Sequence, residues 1–179
     1  MRLFVALALP DVAIDALVPI MAGLPGARWE PPENLHLTLR FIGEVDNGVF
    51  ADIAEGLAEI AAPAFDLEIK GIGHFDDRRR VHALWAALAP APALRHLRDK
   101  IESQLVRLGL EPERRKFLPH ITLARLRDTP SDRVAAFESH HNLMALAPFR
   151  VGEFHLYSSR PGKDRAAYHI EASYPLMPA

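Results

Sequence analysis

The 179-residue sequence contains no cysteine and no apolar run long enough to cross a membrane. Without cysteine the chain cannot form a disulfide scaffold, a thiolate zinc site or a cysteine nucleophile, and this composition fits a reducing compartment. The apolar residues Leu3 to Leu9 stop at Pro10 and Asp11 instead of at a small-residue cleavage site, which is not typical of a signal peptide. We therefore predict a cytoplasmic protein that has no membrane partner.

A strong excess of charge of either sign is also lacking. The 21 basic and 23 acidic residues give a formal net charge of −2 at pH 7, which excludes a protein that coats nucleic acid through a broad basic field. Seventeen of the 21 basic residues are arginines. Arginine is well suited to bidentate contacts with phosphate, although genomic base composition can produce the same bias. The apolar fraction of 49% and the charged fraction of 25% are typical of a globular domain.

The predicted order of strand, helix, strand, helix and strand occurs twice along the chain. Corresponding landmarks are separated by 80, 84 and 79 residues: Pro10 and Pro90, His36 and His120, and Gly73 and Gly152. This duplication predicts a single bilobal domain made of two tandem repeats, about 1–80 and 81–179. The expected fold is α+β, with two lobes related by a pseudo-twofold axis and an active-site cleft between them. Each lobe is expected to be a mostly antiparallel sheet with helices on its outer face.

The sharpest signal in the sequence is a pair of His-x-Thr-Leu motifs, which begin at His36 and His120 at equivalent places in the two repeats. The chain has three threonines and nine histidines, so a histidine two places before a given threonine is expected at about 5% of sites. Thr38 and Thr122 both have one. Residues two apart on a strand share a face and lie about 7 Å from each other. Each motif therefore places an imidazole beside a hydroxyl.

Two such pairs facing one cleft contain the groups needed for in-line displacement at phosphorus. One imidazole can act as the general base and the other as the general acid, because imidazole titrates near neutral pH. The threonine hydroxyls can donate hydrogen bonds to the non-bridging oxygens. This chemistry requires no metal and no cofactor. The strand pattern alone does not say which histidine is the acid, since the two positions are equivalent.

Three segments carry a family resemblance: Trp29 to Gly43, Phe117 to Arg125, and Leu156 to Ser159. Together with the two motifs, they resemble the 2H phosphoesterase superfamily and, within it, the RNA 2′,3′-cyclic phosphodiesterases, historically called 2′-5′ RNA ligases. The resemblance implies hydrolysis of RNA 2′,3′-cyclic phosphate ends to 2′-phosphates, and also reversible 2′-5′ joining of RNA ends. It further implies that His36 donates the proton to the leaving 3′ oxygen and that His120 activates water.

Three further side chains are candidates for binding the substrate. The family resemblance points to Arg125, five places after the second histidine, although strict alternation turns it away from His120 and a β-bulge would be needed to turn it back. Arg40 lies four places after His36, on the correct face by alternation, and is expected at the rim of the site. Tyr157 is the third candidate. One of four aromatic residues could stack on a terminal base, although in the simplest interpretation all four belong to the core: Trp29, Phe75, Trp85 and Tyr157.

Two other functions fit the same residues. A small cyclic nucleotide such as ADP-ribose 1″,2″-cyclic phosphate could replace RNA, although the arginine-rich segments Arg78 to Arg80 and Arg160 to Arg165 favour a longer polyanion. A non-catalytic RNA-binding module would not need two complete His-Thr pairs. Metal-dependent hydrolysis is disfavoured because the histidines lack a carboxylate at ligand spacing. The expected partners are therefore RNA ends or small cyclic nucleotides, and the expected state is a monomer.

Overall fold

In residues 1–178, which a computed structural model describes, antiparallel pairing joins the strands into two four-stranded sheets and one two-stranded ribbon. In chain order the strands are β1 (Arg2–Ala8), β2 (Ala27–Trp29), β3 (His36–Glu44), β4 (Phe65–Leu67), β5 (Ile69–Asp77), β6 (Arg80–Leu88), β7 (Ile121–Leu126), β8 (Phe149–Val151), β9 (Glu153–Arg160) and β10 (Ala167–Pro175). The first sheet has the order β10-β9-β1-β3 and the second has the order β2-β7-β6-β5, while β4 pairs with β8.

Neither large sheet is built from one half of the chain. The first sheet combines β1 and β3 with β9 and β10, and the second combines β2 and β5 with β6 and β7. The cause is the hairpin between β5 and β6, whose two turn residues, Arg78 and Arg79, both have positive φ, at 43° and 81°. Such a turn suits a tight β-hairpin, so β5 stays beside β6. The last strand of the first half, β5, thus belongs to the second sheet together with β6 and β7. In the first sheet β9, from the second half of the chain, pairs with β1.

This exchange of strands changes how the halves relate to the sheets. The predicted α+β architecture with antiparallel sheets and helices is confirmed. Each of the two large sheets contains strands from both halves of the chain. In each sheet a central strand, β1 or β6, lies next to the strand that carries a His-x-Thr motif, β3 or β7. The tandem duplication itself stays a prediction.

Four α-helices in the described residues pack against the sheets: α1 (Asp11–Leu17), α2 (Asn47–Ala58), α3 (Pro92–Arg107) and α4 (Ser131–His141). Two short 3₁₀ helices lie earlier in the chain, at Val18–Ile20 directly after α1 and at Pro32–Asn34 between β2 and β3. The apolar side chains of α3 recur every three or four residues and are fully buried: Leu94, Leu97, Ile101 and Leu105. α2 lies beside β10 and α3, and α4 lies beside β5 and β6. No helix in residues 1–178 is long and apolar enough to span a membrane.

The two faces of the first sheet have different environments. Along β1, Leu3, Val5 and Leu7 point into the large core that also contains the buried sides of the helices. The alternate residues Phe4 and Ala6 belong to a small separate cluster on the other face. The Phe4 ring of this second face lies 5.0 Å from the His36 ring, centroid to centroid. The first motif therefore lies on the face of the sheet away from the main core.

Candidate active site

The strands β3 and β7, which carry the two motifs, each contain a β-bulge at the leucine that follows the threonine. Ala6 of β1 pairs with Thr38, but the preceding Val5 pairs with Arg40, so Leu39 is an extra residue on β3. In the second sheet Trp85 pairs with Thr122 and Leu84 with Ala124, so Leu123 is the extra residue on β7. An extra residue interrupts the alternation of the side chains. The residues beyond each bulge therefore change faces.

Arg125 is turned toward the site by the bulge in β7. Leu123 and Ala124 are consecutive yet both fully buried, and the next residue, Arg125, is exposed. It thus lies on the same face as Thr122 and His120, five places after the histidine. Its positive charge acts on both motif histidines. The structure supplies the bulge that an arginine at this position requires.

Arg40 is turned away from the site by the equivalent bulge in β3. Its side chain is only 7% exposed. Its Nε donates to Oε2 of Glu102 at 2.5 Å, and its guanidinium also donates to the backbone oxygens of Glu111 and Phe41. The prediction that Arg40 lies at the rim of the site was wrong, because it assumed unbroken alternation along β3. Arg40 instead attaches β3 to α3 and to the segment that follows that helix.

Both motif histidines are held by backbone carbonyls two residues earlier in the chain. The Nδ1–H of His36 donates to the oxygen of Asn34 at 2.6 Å, and that of His120 donates to the oxygen of Leu118 at 2.7 Å. This arrangement leaves Nε2 of each ring as the nitrogen that exchanges protons. The Thr38 hydroxyl donates to Nε2 of His36 at 3.0 Å. The imidazole and the hydroxyl of the first motif are therefore in direct contact, as the spacing predicts.

The pKa of each motif histidine is lowered from 6.5. Burial is the main cause for His36, and the positive charges of His120 and Arg125 lower the pKa further, while the hydrogen bond to Asn34 opposes them. For His120 burial is again the main cause, the hydrogen bond to Leu118 opposes it, and Arg125 lowers the pKa further. The two imidazoles and one guanidinium are thus close enough to influence each other. His36 lies on β3 of the first sheet, Arg125 lies on β7 of the second sheet, and His120 directly precedes β7.

Aromatic rings pack against both imidazoles. The His36 ring lies 5.0 Å from Phe4 and 5.2 Å from Tyr168, which meets it edge-on at 84°. The His120 ring lies 4.8 Å from Phe75, perpendicular to it, and 6.0 Å from Trp85. Packed rings restrict the orientations that an imidazole can adopt. These contacts and the carbonyl bonds together keep each Nε2 in one direction.

Tyr157 lies on the same face of the first sheet as His36, with the two ring centroids 6.1 Å apart, but its ring is covered by other side chains. It pairs directly with Phe4 across β9 and β1, and the two rings stack at 5.0 Å with an angle of 4° between them. The side chain is 8% exposed, and burial, with a smaller effect of Glu153, raises its pKa to about 12. The structure therefore corrects this prediction, because the cross-strand partner Phe4 covers the Tyr157 ring.

Several residues at the site were missed by the sequence reasoning. Tyr168 of β10 contacts His36, and burial is the main cause of its raised pKa, with Glu30 raising it further and Arg125 opposing. Its hydroxyl therefore lies near residues of the second sheet. The pattern of β10 did not predict a strand, so no signal pointed to Tyr168. Phe41 pairs with Phe4 on the face of the first sheet that carries His36, and the two rings lie 6.1 Å apart. It could have been found, because it follows His36 by five places, as Arg125 follows His120.

The loop between β9 and β10 is attached to the second sheet. Arg28 donates to the backbone oxygen of Asp164, and Arg165 donates to that of Trp29. The side-chain amide of Asn34 donates to the oxygen of Ala166 at 3.1 Å. These bonds join the loop between β9 and β10 to β2 and to the segment that precedes His36. The Arg160–Arg165 segment is thus partly used in structural bonds, whereas the Arg78–Arg80 turn is exposed.

Glu30 is a carboxylate among these arginines. It follows β2, and its backbone N–H donates to the oxygen of Leu123 at 2.8 Å, directly at the bulge of β7. Burial raises the pKa of Glu30, while Arg125, Arg165 and Arg28 lower it. Within residues 1–178 no group of three or more His, Cys, Asp or Glu side chains is placed to hold a metal ion.

The comparison with protein families gives a clear result. The family model described as the 2′-5′ RNA ligase superfamily matches residues 21–163 of this chain. The chain belongs to the 2′-5′ RNA ligase superfamily. The family resemblance that the two motifs indicate is therefore confirmed, and the match includes the residues of both bulges.

Two relatives in the superfamily are named RNA 2′,3′-cyclic phosphodiesterase. The protein from Aeropyrum pernix is 44% identical over 96 residues, which are 53% of this chain and 54% of that protein. The protein from Geobacillus stearothermophilus is 32% identical over 161 residues, 88% of this chain and 50% of that protein. The chain therefore spans about half the length of these two relatives.

A solved structure in the superfamily has the same fold over nearly the whole chain. LigT of E. coli in its apo form is 28% identical, and the superposition covers 98% of this chain and 97% of LigT with a TM-score of 0.81. LigT has also been solved in complex with 3′-AMP, and that structure has a TM-score of 0.78 to this chain. The antiparallel sheets and helices described above are therefore the 2H fold.

The buried ion pair of Arg40 generates a prediction about stability. In an Arg40→Met variant the Glu102 carboxylate loses its buried partner, and we expect the free energy of unfolding to fall by about 3–5 kcal/mol. Urea denaturation followed by circular dichroism measures this change. Arg125→Met is the matched control, because Arg125 is exposed and its loss is expected to change stability by only about 0.5 kcal/mol. Equal unfolding curves for the two variants would show that Arg40 is not a structural residue.

Proposed function

We propose that this chain hydrolyses 2′,3′-cyclic phosphate ends of RNA to 2′-phosphates, with His36 and His120 as the acid and the base. The observation that supports this most directly is the pair of imidazoles that backbone carbonyls hold in a fixed orientation. The first imidazole belongs to the first sheet and the second to the second sheet, and the positive charge of Arg125 lowers the pKa of both. The names of the relatives from A. pernix and G. stearothermophilus point to the same substrate.

The proposed reaction is an in-line displacement. Water attacks the phosphorus from the His120 side as Nε2 of His120 removes a proton from it, and a new P–O bond forms. The bond between phosphorus and the 3′ oxygen breaks on the opposite side, and His36 donates a proton to that oxygen. The product is a 2′-phosphate with a free 3′ hydroxyl. No metal or cofactor takes part in these steps.

The order of the two roles has support beyond the family relationship. Nε2 of His36 is hydrogen-bonded to the Thr38 hydroxyl, whereas Nε2 of His120 has no protein partner within residues 1–178. A general base needs a free lone pair directed at the water molecule. His120 satisfies this condition in the resting site. His36 can obtain its proton when an anion binds, because a nearby negative charge raises the pKa of an imidazole.

The remaining polar side chains would stabilise charge on the phosphorus. Thr38 and Thr122 lie two places after the histidines on the same face, so their hydroxyls can donate to the non-bridging oxygens. Arg125 supplies a positive charge that does not titrate. These roles make Arg125 and the threonines the proposed phosphate-binding residues.

The structure of LigT with 3′-AMP supports a nucleotide as the group next to the phosphate. If the hydroxyl of a second RNA replaced water, the same site would join RNA ends through a 2′-5′ linkage. Both imidazoles come from one chain, so the site is complete in a monomer, which is the state we propose. We further propose that the enzyme works in the cytoplasm, since the absence of cysteine fits a reducing compartment.

The roles of the histidines can be tested by substitution. We expect His36→Ala and His120→Ala each to lower kcat about 10²–10⁴-fold on an oligonucleotide with a 2′,3′-cyclic phosphate end, because each variant lacks one proton-transfer group. EDTA is expected to leave the rate unchanged. His140→Ala, which removes an exposed histidine of α4, is the matched control. Full activity in either motif variant, with an unchanged circular dichroism spectrum, would refute the proposal.

The pH dependence offers a second test. Since the pKa of both His36 and His120 is lowered from 6.5, and one must be protonated while the other is neutral, kcat/KM should follow a bell that peaks below pH 6.5. Arg125 lowers both pKa values, so an Arg125→Met variant should shift the bell toward higher pH while reducing its height. A profile whose position does not move in this variant would contradict the proposed proximity of Arg125 to both imidazoles.

A further inference from the structure

A third β-bulge, in β6, turns a histidine away from the core of the second sheet. Two consecutive residues of β5 pair with Ala83 and Val81, so His82 is an extra residue on β6. Val81 and Leu84 both belong to the large core. The two residues between them, His82 and Ala83, therefore lie on the opposite face of the sheet.

The ring of His82 continues an aromatic surface that begins at His120. His82 is exposed, and its ring centroid lies 6.3 Å from that of Phe75, with an angle of 25° between the two planes. Phe75 is half-buried and meets the His120 ring at a right angle, 4.8 Å away. The surface therefore extends from the second motif imidazole to a ring that is in contact with solvent.

Trp85 supports this surface from within the sheet. Its ring packs against Phe75, with the centroids 5.3 Å apart. Trp85 pairs with Gly73 of β5, and a Cβ at Gly73 would collide with the indole. The missing side chain thus lets the indole lie across β5, beside Phe75. The indole Nε1 is buried and has no hydrogen-bond partner within residues 1–178, so packing alone holds this ring.

The in-line geometry of the proposed reaction places the attacking group on this side of the site. His120 removes the proton from the nucleophile, whereas His36 protonates the leaving 3′ oxygen on the opposite side of the phosphorus. Water needs no surface beyond the imidazole. When the nucleophile is the 5′ hydroxyl of a second RNA, the ribose and base that carry it lie beside His120, on the second sheet. Phe75 and His82 are the aromatic rings that extend outward from that imidazole.

We propose that Phe75 and His82 form an acceptor subsite, on which the base of the nucleoside that bears the 5′ hydroxyl stacks. This inference rests on the proposed function and names the second RNA end that the site binds. The bond between the 5′ oxygen and phosphorus forms as His120 removes the hydroxyl proton. The bond between phosphorus and the 3′ oxygen breaks as His36 protonates that oxygen. The product has a 2′-5′ linkage and a free 3′ hydroxyl, and stacking on the two rings tolerates every base.

The test follows the two fates of one cyclic phosphate end. An oligonucleotide that ends in a 2′,3′-cyclic phosphate is incubated with the protein and an excess of RNA that has a 5′ hydroxyl, and electrophoresis separates the joined and the hydrolysed products. We expect His82→Ala to lower the ratio of joined to hydrolysed product about tenfold, because only the RNA nucleophile stacks on His82. His82→Phe is expected to keep the ratio, since it retains a ring.

The controls separate stacking from a general effect on the protein. Both products form in one reaction, so partial unfolding of a variant does not change their ratio. His96→Ala removes an exposed histidine of α3 and should leave the ratio unchanged. Methanol in place of the second RNA supplies a hydroxyl without a base, so the ratio of methyl ester to hydrolysed product should be the same in His82→Ala as in the wild type.

Three results would overturn the subsite and leave the proposed hydrolysis intact. They are a joined-to-hydrolysed ratio that His82→Ala does not change, an equal fall in the ratio with methanol, and hydrolysis by the wild-type protein without any joined product. If the wild-type protein forms neither product from the cyclic phosphate end, the proposed function fails and the subsite with it.

Discussion

The extra residue in each motif strand is the constraint on which the candidate site depends. Leu39 and Leu123 are both buried, and each interrupts the alternation of its strand immediately after the His-x-Thr unit. A regular strand would present Arg40 beside the first imidazole and would turn Arg125 into the core. With the bulge, the polar face of β7 gains a guanidinium, and Arg40 becomes available for a buried ion pair with Glu102. Local backbone geometry thus decides which arginine lies on the same face as the imidazoles.

The electrostatics of the site follow from this placement. Two half-buried imidazoles and an arginine from the two sheets form a cluster of groups that are neutral or positive, and the pKa of each imidazole is lowered so that it resists protonation. Such a cluster is unfavourable for a cation and favourable for an anion, because a bound phosphate offsets the cost of charging an imidazole. The binding of the anion and the protonation of the acid are therefore coupled.

The sequence predicted the parts of the fold that depend on local periodicity. Strands and helices are present as the periodicity predicts, and His36, Thr38, His120 and Thr122 lie on strands or directly before them. The exchange of β5 and β9 between the sheets could not be predicted, since strand order depends on a hairpin turn between two arginines and not on alternation. Phe41 was overlooked although its offset from His36 was visible in the sequence.

Edge strands were the other source of error. β2 has three residues, and β10 combines exposed and half-buried side chains along an edge, so neither shows a clear alternation of apolar and polar residues. Tyr168 and Glu30 reach the site from β10 and from the end of β2, and both were therefore missed. The bulges were the reason that Arg40 was placed wrongly, because the hydrogen-bond register that creates a bulge depends on two paired strands and cannot be predicted from the sequence of one.

The central claim is that His36 and His120 act on one phosphorus atom. The most direct test is an NMR titration of the histidine side chains with and without adenosine 2′-phosphate, the product of the proposed reaction. If both rings contact the same phosphate, its negative charge will raise the pKa of His36 and of His120 together. A shift confined to one of the two motif histidines, or to neither, would contradict the account.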